Sequence, residues 1–120
     1  MKVLIVDDST AMRAIVKRTL KQAGFNGLDI AEAADGQQAF DEIYKIEPDL
    51  VLCDWNMPNM NGIDLLKKLR EEKNGVKFGF ITTESTGEMR AQAKESGAQF
   101  LIAKPFTPEV FEKTLTPHLS

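Results

Sequence analysis

Five polar side chains in this sequence each end or directly follow a short apolar run: Asp7, Asp8, Asp54, Thr82 and Lys104. If these runs are parallel strands, their carboxyl ends meet at one edge of a sheet and the side chains converge there. Two carboxylates about 5 Å apart repel by roughly 3 kcal/mol at an effective dielectric constant of about 20. Three carboxylates around one crevice therefore need a cation, and a few hard oxygen ligands with open positions suit Mg²⁺ better than Ca²⁺ or zinc.

A carboxylate beside Mg²⁺ can attack a phosphoryl group and form an acyl phosphate. Asp54 stands alone at the tip of the third apolar run, which makes it the predicted acceptor, with Asp7 and Asp8 holding the metal. Lys104 and the metal would neutralise the phosphoryl oxygens, and Thr82 would donate a hydrogen bond to one of them. Each group also has an ordinary interpretation, because an Asp after a strand is commonly a turn former or a helix cap.

Two hydrophobic periods alternate along the chain and predict the elements that position these side chains. Apolar runs rich in β-branched residues predict strands over residues 2–6, 28–33, 49–53, 77–82 and 99–103. Apolar residues spaced by three and four predict a helix after each of the first three strands, the third from about Gly62, and further helices are expected over about 86–96 and after Thr107. Helix starts are marked by Ser9 or Thr10, by Asp35, and by Thr107 before a proline.

Alternating strands and helices predict an α/β protein of the flavodoxin-like (βα)5 class, a three-layer sandwich around one five-stranded parallel sheet. Right-handed crossovers and burial of both sheet faces favour the strand order 2-1-3-4-5. In such sheets ligands bind beyond the carboxyl ends of the strands, where the order switches between strands 1 and 3. Asp7, Asp8 and Asp54 are predicted to lie at that switch.

Composition and charge fit one globular domain. The chain has 120 residues, 42% hydrophobic and 28% charged, and 15 basic against 18 acidic residues leave a net charge of −3. This balance does not favour a broad nucleic-acid or membrane surface. The single cysteine, Cys53, excludes an internal disulfide and a Cys-based zinc site. No apolar stretch approaches the ~18 residues of a membrane helix and no signal peptide is visible, so we expect a cytoplasmic protein. We also expect it to be a monomer.

Taken together, the strand-end motifs resemble the receiver domain of two-component response regulators. The matching segments are residues 6–9 (VDDS), 54–62 (DWNMPNMNG), 82–83 (TT) and 104–106 (KPF). Within that family, the segment around Asp54 is closest to the chemotaxis regulators of the CheY type. The resemblance extends over the whole chain, so residues 1–120 are expected to form a single receiver domain with no output domain.

The resemblance implies that Asp54 accepts a phosphoryl group from the phosphohistidine of a partner histidine kinase. It implies that Thr82 and Lys104 engage the phosphoryl oxygens, and that the peptide bond between Lys104 and Pro105 is cis. The protein would then be a signalling module rather than an enzyme acting on small molecules. The implied ligands of Mg²⁺, direct or through water, are Asp7, Asp8, Asp54 and the backbone carbonyl of Asn56.

The output that the resemblance implies is binding to a partner protein, with the flagellar motor switch in chemotaxis as the first candidate. A phosphorelay partner or a phosphate-sink role is the alternative. The expected docking surface is the face formed by the fourth helix, the fifth strand and the fifth helix. Met89 is the one large apolar side chain of the fourth helix, so we expect that helix to be the least firmly docked.

Several single residues carry their own expectations. Leu101 stands where the family commonly has an aromatic switch residue, so we expect it simply to pack. Asn56 and Glu84 match the two variable positions that tune hydrolysis of the acyl phosphate in the family. Cys53 is interpreted as strand core, and Trp55 as a structural side chain that reports Mg²⁺ binding by fluorescence. Gly62 is expected to form the turn into the third helix, and His118 to be a surface residue.

Two other classes of protein share parts of this pattern. A phosphatase of the haloacid dehalogenase type also forms an aspartyl phosphate, but it needs two aspartates separated by one residue, whereas Asp7 and Asp8 are adjacent. A flavodoxin needs hydroxyls and glycine amides in its first loop to bind the flavin phosphate, and adjacent carboxylates would repel that group. Activity on a general phosphate ester would favour the first class, and a coloured purified protein the second.

Overall fold

Strands and helices alternate along the chain in the computed structural model, which describes residues 1–119. The strands are β1 (Lys2–Val6), β2 (Asp29–Ala33), β3 (Leu50–Cys53), β4 (Lys77–Thr82) and β5 (Phe100–Ala103). The helices are α1 (Thr10–Gln22), α2 (Gly36–Ile46), α3 (Gly62–Glu71), α4 (Gly87–Glu95) and α5 (Pro108–Leu119). Among these described helices, none combines the length and apolar character needed to cross a membrane.

All strand pairs are parallel, and the sheet order β2-β1-β3-β4-β5 confirms the predicted flavodoxin-like α/β fold. Val6 at the end of β1 pairs with Cys53 at the end of β3, so the residues after both strands leave the sheet at the same level. Further along the same sheet, Thr82 at the end of β4 pairs with Ala103 at the end of β5. The register therefore brings the ends of four strands to one edge.

Side-chain caps start the helices where the sequence predicts them. The Ser9 hydroxyl accepts a hydrogen bond from the Met12 amide at 3.1 Å, which settles the choice between Ser9 and Thr10. The Asp35 carboxylate accepts from the Gln38 amide at 2.8 Å, and the Thr107 hydroxyl accepts from Val110 at 3.2 Å. Such caps satisfy amides that have no partner within the helix.

Three strands begin one residue later than predicted, at Asp29, Leu50 and Phe100. Just before two of these strands, a polar side chain accepts a hydrogen bond from an amide of the neighbouring strand. The Asp49 carboxylate accepts from the Lys2 amide at 2.8 Å, and the Gln99 side-chain oxygen accepts from the Phe78 amide at 2.7 Å. The backbone amides of Asp49 and Gln99 also donate to the Lys2 and Phe78 carbonyls at 2.8 Å, so both residues bond to the neighbouring strand although the strands begin one residue later.

The core forms two layers because helices cover both faces of the sheet. Alternate strand residues face α2, α3 and α4, among them the fully buried Cys53, Phe78 and Phe80. The intervening residues face α1 and α5. Burial, with a smaller contribution from the Asp54 carboxylate, raises the pKa of the Cys53 thiol well above its usual value. Cys53 is therefore a neutral core side chain, as predicted.

The side chains of Phe100 and Leu101 belong to opposite layers, as the alternation of a strand requires. Leu101 packs in the layer of α2, α3 and α4, which confirms the expectation that it simply packs. Phe100 lies in the other layer, over Gly79, with its ring centroid 5.4 Å from that of His118. The prediction of a surface histidine is therefore wrong in part, because the last turn of α5 half-buries His118 against Phe100.

Helix α4 has the smallest buried face of the helices. Ala93 is its one fully buried residue, and Met89 is only partly buried, whereas α3 buries five residues. Arg70 contacts the chain just after α4, because its guanidinium donates to the Gly97 carbonyl oxygen at 2.8 Å. The same guanidinium donates to the carbonyl oxygens of Asn74 and Val76 at 2.8 and 2.9 Å. The packing therefore leaves the N-terminal half of α4 the less firmly held.

Candidate functional site

The ends of β1 and β3 bring three carboxylates together at the predicted switch point. Each of Asp7, Asp8 and Asp54 offers an oxygen, and these oxygens lie within 4.8 Å of one another. Asp7 is buried, Asp54 is half-buried and Asp8 is exposed, so the cluster opens to solvent on one side. Closely spaced hard oxygen donors with an open side fit a Mg²⁺ ion, which keeps several waters when bound to proteins.

Lys104 places a positive charge against this cluster. Its Nζ lies 3.1 Å from Asp7 Oδ2 and 3.4 Å from Asp54 Oδ2, and its side chain is 11% exposed. The peptide bond between Lys104 and Pro105 is cis, as the resemblance implies. One ammonium therefore neutralises part of the charge on two carboxylates that would otherwise repel each other.

The surroundings of Asp54 act on its ionisation in opposite directions. Burial raises the pKa of Asp54, and the neighbouring Asp7 carboxylate adds to that effect. The Lys104 ammonium opposes it, as does the Trp55 amide, which donates to Asp54 Oδ1 at 2.7 Å. The carboxylate form, which is the nucleophilic one, thus depends on the lysine and the amide.

The β1–α1 turn is held by contacts that the sequence motifs did not indicate. The Ser9 amide donates to Asp7 Oδ1 at 2.9 Å, and the Arg13 guanidinium donates to the Asp7 carbonyl oxygen. Arg13 also pairs with Glu32 on β2 at 2.9 Å, as does Lys17 at 3.0 Å. Since an arginine in a helix has many ordinary roles, no sequence signal singled out Arg13 as part of this site.

On the other side of the cluster, the β4 end contributes a buried hydroxyl. Thr82 is fully buried, and its Oγ1 accepts a hydrogen bond from the Glu84 amide at 3.3 Å. The side-chain amide of Asn56 donates to Glu84 Oε1 at 3.1 Å. The two positions matched to the family's variable pair are therefore in direct contact, at the exposed mouth of the site.

The loop after Asp54 is packed tightly at its far end. The Gly62 amide donates to the Trp55 carbonyl at 2.7 Å, and a Cβ on Gly62 would lie 2.3 Å from the Asp54 carbonyl oxygen. Gly62 is thus required by close approach rather than by the turn conformation that we predicted. Trp55 is 7% exposed and stacks on Phe80 at 4.7 Å, so its structural role is confirmed.

A parallel α/β sheet of order 2-1-3-4-5, with acidic side chains and a lysine at its carboxyl edge, defines a flavodoxin-like protein with its polar site at the topological switch point. The chain belongs to the response regulator receiver domain family, whose model matches residues 3–116. A CheY-like receiver domain is a signalling module rather than a classical enzyme, and this class implies a kinase donor and a protein target.

Relatives and solved structures agree with this assignment over nearly the whole chain. The chain is 43% identical over 118 residues to a chemotaxis protein CheY homolog of Campylobacter jejuni, covering 96% of this chain and 89% of the relative. It is 44% identical to chemotaxis protein CheY-3 of Vibrio cholerae, covering 96% of this chain and 88% of the relative. The structure of Vibrio cholerae CheY4 matches with a TM-score of 0.85 and 37% identity, covering 98% of both chains.

Proposed function

We propose that this chain, residues 1–120, is a response regulator receiver domain whose Asp54 accepts a phosphoryl group from the phosphohistidine of a sensor histidine kinase. The observation that carries the proposal is the convergence of Asp54 with two further carboxylates within 4.8 Å and with the Lys104 ammonium. We further propose that phosphorylation changes the affinity for a protein target in the cytoplasm, in chemotaxis and at the flagellar motor switch. The relatives named as chemotaxis proteins support this choice of pathway.

In the proposed transfer, a carboxylate oxygen of Asp54 forms a bond to phosphorus as the bond between phosphorus and the kinase imidazole nitrogen breaks. The electron pair of the broken bond stays on that nitrogen, and with one proton taken up by the ring from solvent the histidine leaves as a neutral imidazole. Mg²⁺, when bound, would withdraw negative charge from the phosphoryl oxygens and the carboxylates. The proposed ligands are Asp7, Asp8, Asp54 and the backbone carbonyl of Asn56.

Two further side chains of the chain act on the transferred group in this proposal. Lys104 already lies between Asp7 and Asp54, so its ammonium can form an ion pair with the phosphoryl oxygens once the group is on Asp54. The Thr82 oxygen accepts from the Glu84 amide, which leaves the hydroxyl proton free to be donated to a phosphoryl oxygen. Preorganised donors of this kind stabilise charge that develops in the transition state.

Removal of the metal is expected to stop phosphorylation by a small-molecule donor. With Mg²⁺ and acetyl phosphate, intact mass should increase by one phosphoryl group, whereas an excess of EDTA should leave the mass unchanged. The reason is that the acidic cluster repels an incoming phosphoryl group unless a cation is present. Mg²⁺ binding itself is followed by Trp55 fluorescence. An adduct of equal yield with and without EDTA would contradict the metal-dependent mechanism.

Amides of α4 are expected to exchange hydrogen faster than those of α1. The cause is the smaller buried face of α4. Its buried residue is Ala93, whereas α1 buries Val16, Thr19 and Leu20. We also expect the α4 protection to change when acetyl phosphate and Mg²⁺ are added, because we place the target surface on α4, β5 and α5. Hydrogen exchange by mass spectrometry measures both effects, with Asp54→Asn as the matched control that carries no acceptor.

Equal protection of α4 and α1 amides, with and without acetyl phosphate, would rule out both the weak docking and the proposed movement.

A groove of about 270 Å³ between α4 and β5 is lined by residues that include Arg90, Ala93 and Leu101. It lies within the surface proposed for the target. A change in protection confined to α1 would place the responding surface elsewhere.

A further inference from the structure

The loop between β3 and α3, residues 54–61, is held from the side by α2, a helix that carries none of the proposed site residues. The side-chain amide of Asn59 donates to Asp35 Oδ2 at 2.8 Å. Asp35 is 8% exposed, and its other oxygen caps α2 through the Gln38 amide at 2.8 Å. One buried carboxylate therefore joins the start of α2 to this loop.

Backbone packing beside this hydrogen bond leaves little freedom for the loop. A Cβ on Gly36, the residue after Asp35, would lie 2.2 Å from the Met60 carbonyl oxygen. The start of α2 thus contacts the loop directly, and any larger residue at Gly36 would displace it. Asn59 has a φ of 67°, a left-handed conformation that asparagine tolerates better than most residues.

The ionised form of Asp35 is the form that this arrangement stabilises. The Gln38 amide and then the Asn59 side-chain amide hold the pKa of Asp35 below its usual value. The carboxylate therefore stays charged at neutral pH and remains an acceptor for both donors. At its two ends the loop is closed by the bond between Gly62 and Trp55, at 2.7 Å.

We propose that Asp35 is a positioning residue for the metal site, holding the β3–α3 loop through Asn59 so that the Asn56 carbonyl is available to Mg²⁺. This inference rests on the proposed function, because it assigns the Asn56 carbonyl to the metal. Asp35 itself touches neither the metal nor the phosphoryl group. It acts on the loop as an outer-shell partner acts on a metal ligand.

Two substitutions remove the contact from opposite sides. Asp35→Ser keeps a hydroxyl that caps α2 but is too short to reach Asn59, and Asn59→Gly keeps the left-handed backbone while removing the donor. We expect each to weaken Mg²⁺ binding by about tenfold, the lower end of what loss of an outer-shell partner costs. Because both break one interaction, the double variant should bind Mg²⁺ as weakly as either single variant.

Three measurements separate positioning from general stability. Trp55 fluorescence gives the Mg²⁺ affinity, and the rate of adduct formation from acetyl phosphate should return to the wild-type value at saturating Mg²⁺. Hydrogen exchange of the Met60 and Gly62 amides, measured without metal, should be faster in both variants. Asp41→Ser, on the exposed face of α2, is the matched control and should behave as wild type.

Wild-type Mg²⁺ affinity in Asp35→Ser and Asn59→Gly would overturn the positioning role, as would effects that simply add in the double variant. Asn59 is exposed, so Asn59→Gly keeps the test valid even if Asp35→Ser folds poorly. If the wild-type protein bound no Mg²⁺, the proposed function would fail instead. In that case the exchange of the loop amides without metal would still report whether Asp35 holds the loop.

Discussion

Asp54→Asn is expected to abolish the phosphoryl adduct while the fold stays intact. The amide has no nucleophilic carboxylate oxygen, so we expect adduct formation to fall by at least about 10³-fold. An asparagine oxygen can still accept the Trp55 amide that donates to Asp54 Oδ1 at 2.7 Å. Intact mass after incubation with Mg²⁺ and acetyl phosphate measures the loss. Asp41→Asn, an exposed position on α2, is the control and should form the adduct at the wild-type level.

The same substitution is expected to raise the stability of the metal-free protein. Burial raises the pKa of Asp54 in the folded state, so the ionised form costs folding free energy. The contribution of this group to stability is present below the unfolded pKa and is lost as pH rises through the folded value. A neutral asparagine removes the cost at neutral pH and also removes one of three mutually repelling carboxylates.

Urea unfolding at neutral pH without Mg²⁺ measures this effect, and the gain should disappear at a pH where Asp54 is protonated in both states. A lower midpoint for Asp54→Asn would mean that the ion pair with Lys104 outweighs the burial cost. An adduct of equal yield on Asp54→Asn and wild type would refute the assignment of the acceptor.

Lys104→Met is expected to move two properties of the site in opposite directions. Phosphorylation by acetyl phosphate should slow by about 10²-fold, the usual cost of removing one charge-stabilising donor. Mg²⁺ should nevertheless bind more tightly, because the ammonium at 3.1 Å from Asp7 and 3.4 Å from Asp54 competes with a metal for the same oxygens. Methionine retains most of the length of the side chain, so packing changes little.

Trp55 fluorescence titration and intact-mass kinetics measure the two effects on one sample. Without Mg²⁺, loss of the charged hydrogen bonds should also lower the free energy of unfolding by about 1.5–3 kcal/mol. Lys113→Met, on the exposed side of α5, is the matched control and should leave all three quantities unchanged. A Lys104→Met protein that binds Mg²⁺ more weakly than wild type would show that the lysine does not compete with the metal.

Local patterns in the sequence predicted most of the fold because each is set by neighbouring residues. Local patterns located all five strands and all five helices, and the starts of β2, β3 and β5 differ from the prediction by one residue. Ser9, Asp35 and Thr107 marked helix starts because a cap acts within its own turn. The register of β1 with β3 pairs the last residues of the two strands, Val6 and Cys53, and brings Asp7 beside Asp54.

The site was predictable for a related reason. Residues that follow parallel strands must meet at one edge, so the order of elements was enough to group the carboxylates with Thr82 and Lys104. Contacts within the group were not predictable. That Lys104 bonds both Asp7 and Asp54 depends on side-chain conformations in a packed pocket, which no spacing encodes.

The sequence by itself thus determined the fold class, the family and the residues gathered at the switch point. Only the tertiary structure decided which distant residues hold them in place. The ion pair between Arg13 and Glu32, 19 residues apart, and the bond between Asp35 and Asn59, 24 residues apart, join elements that packing alone brings together. For Gly62, the sequence predicted a role in a turn. The structure shows instead that glycine is required there because the Asp54 carbonyl approaches it closely. Such contacts depend on the distance between packed elements, which a linear pattern of residue types does not specify.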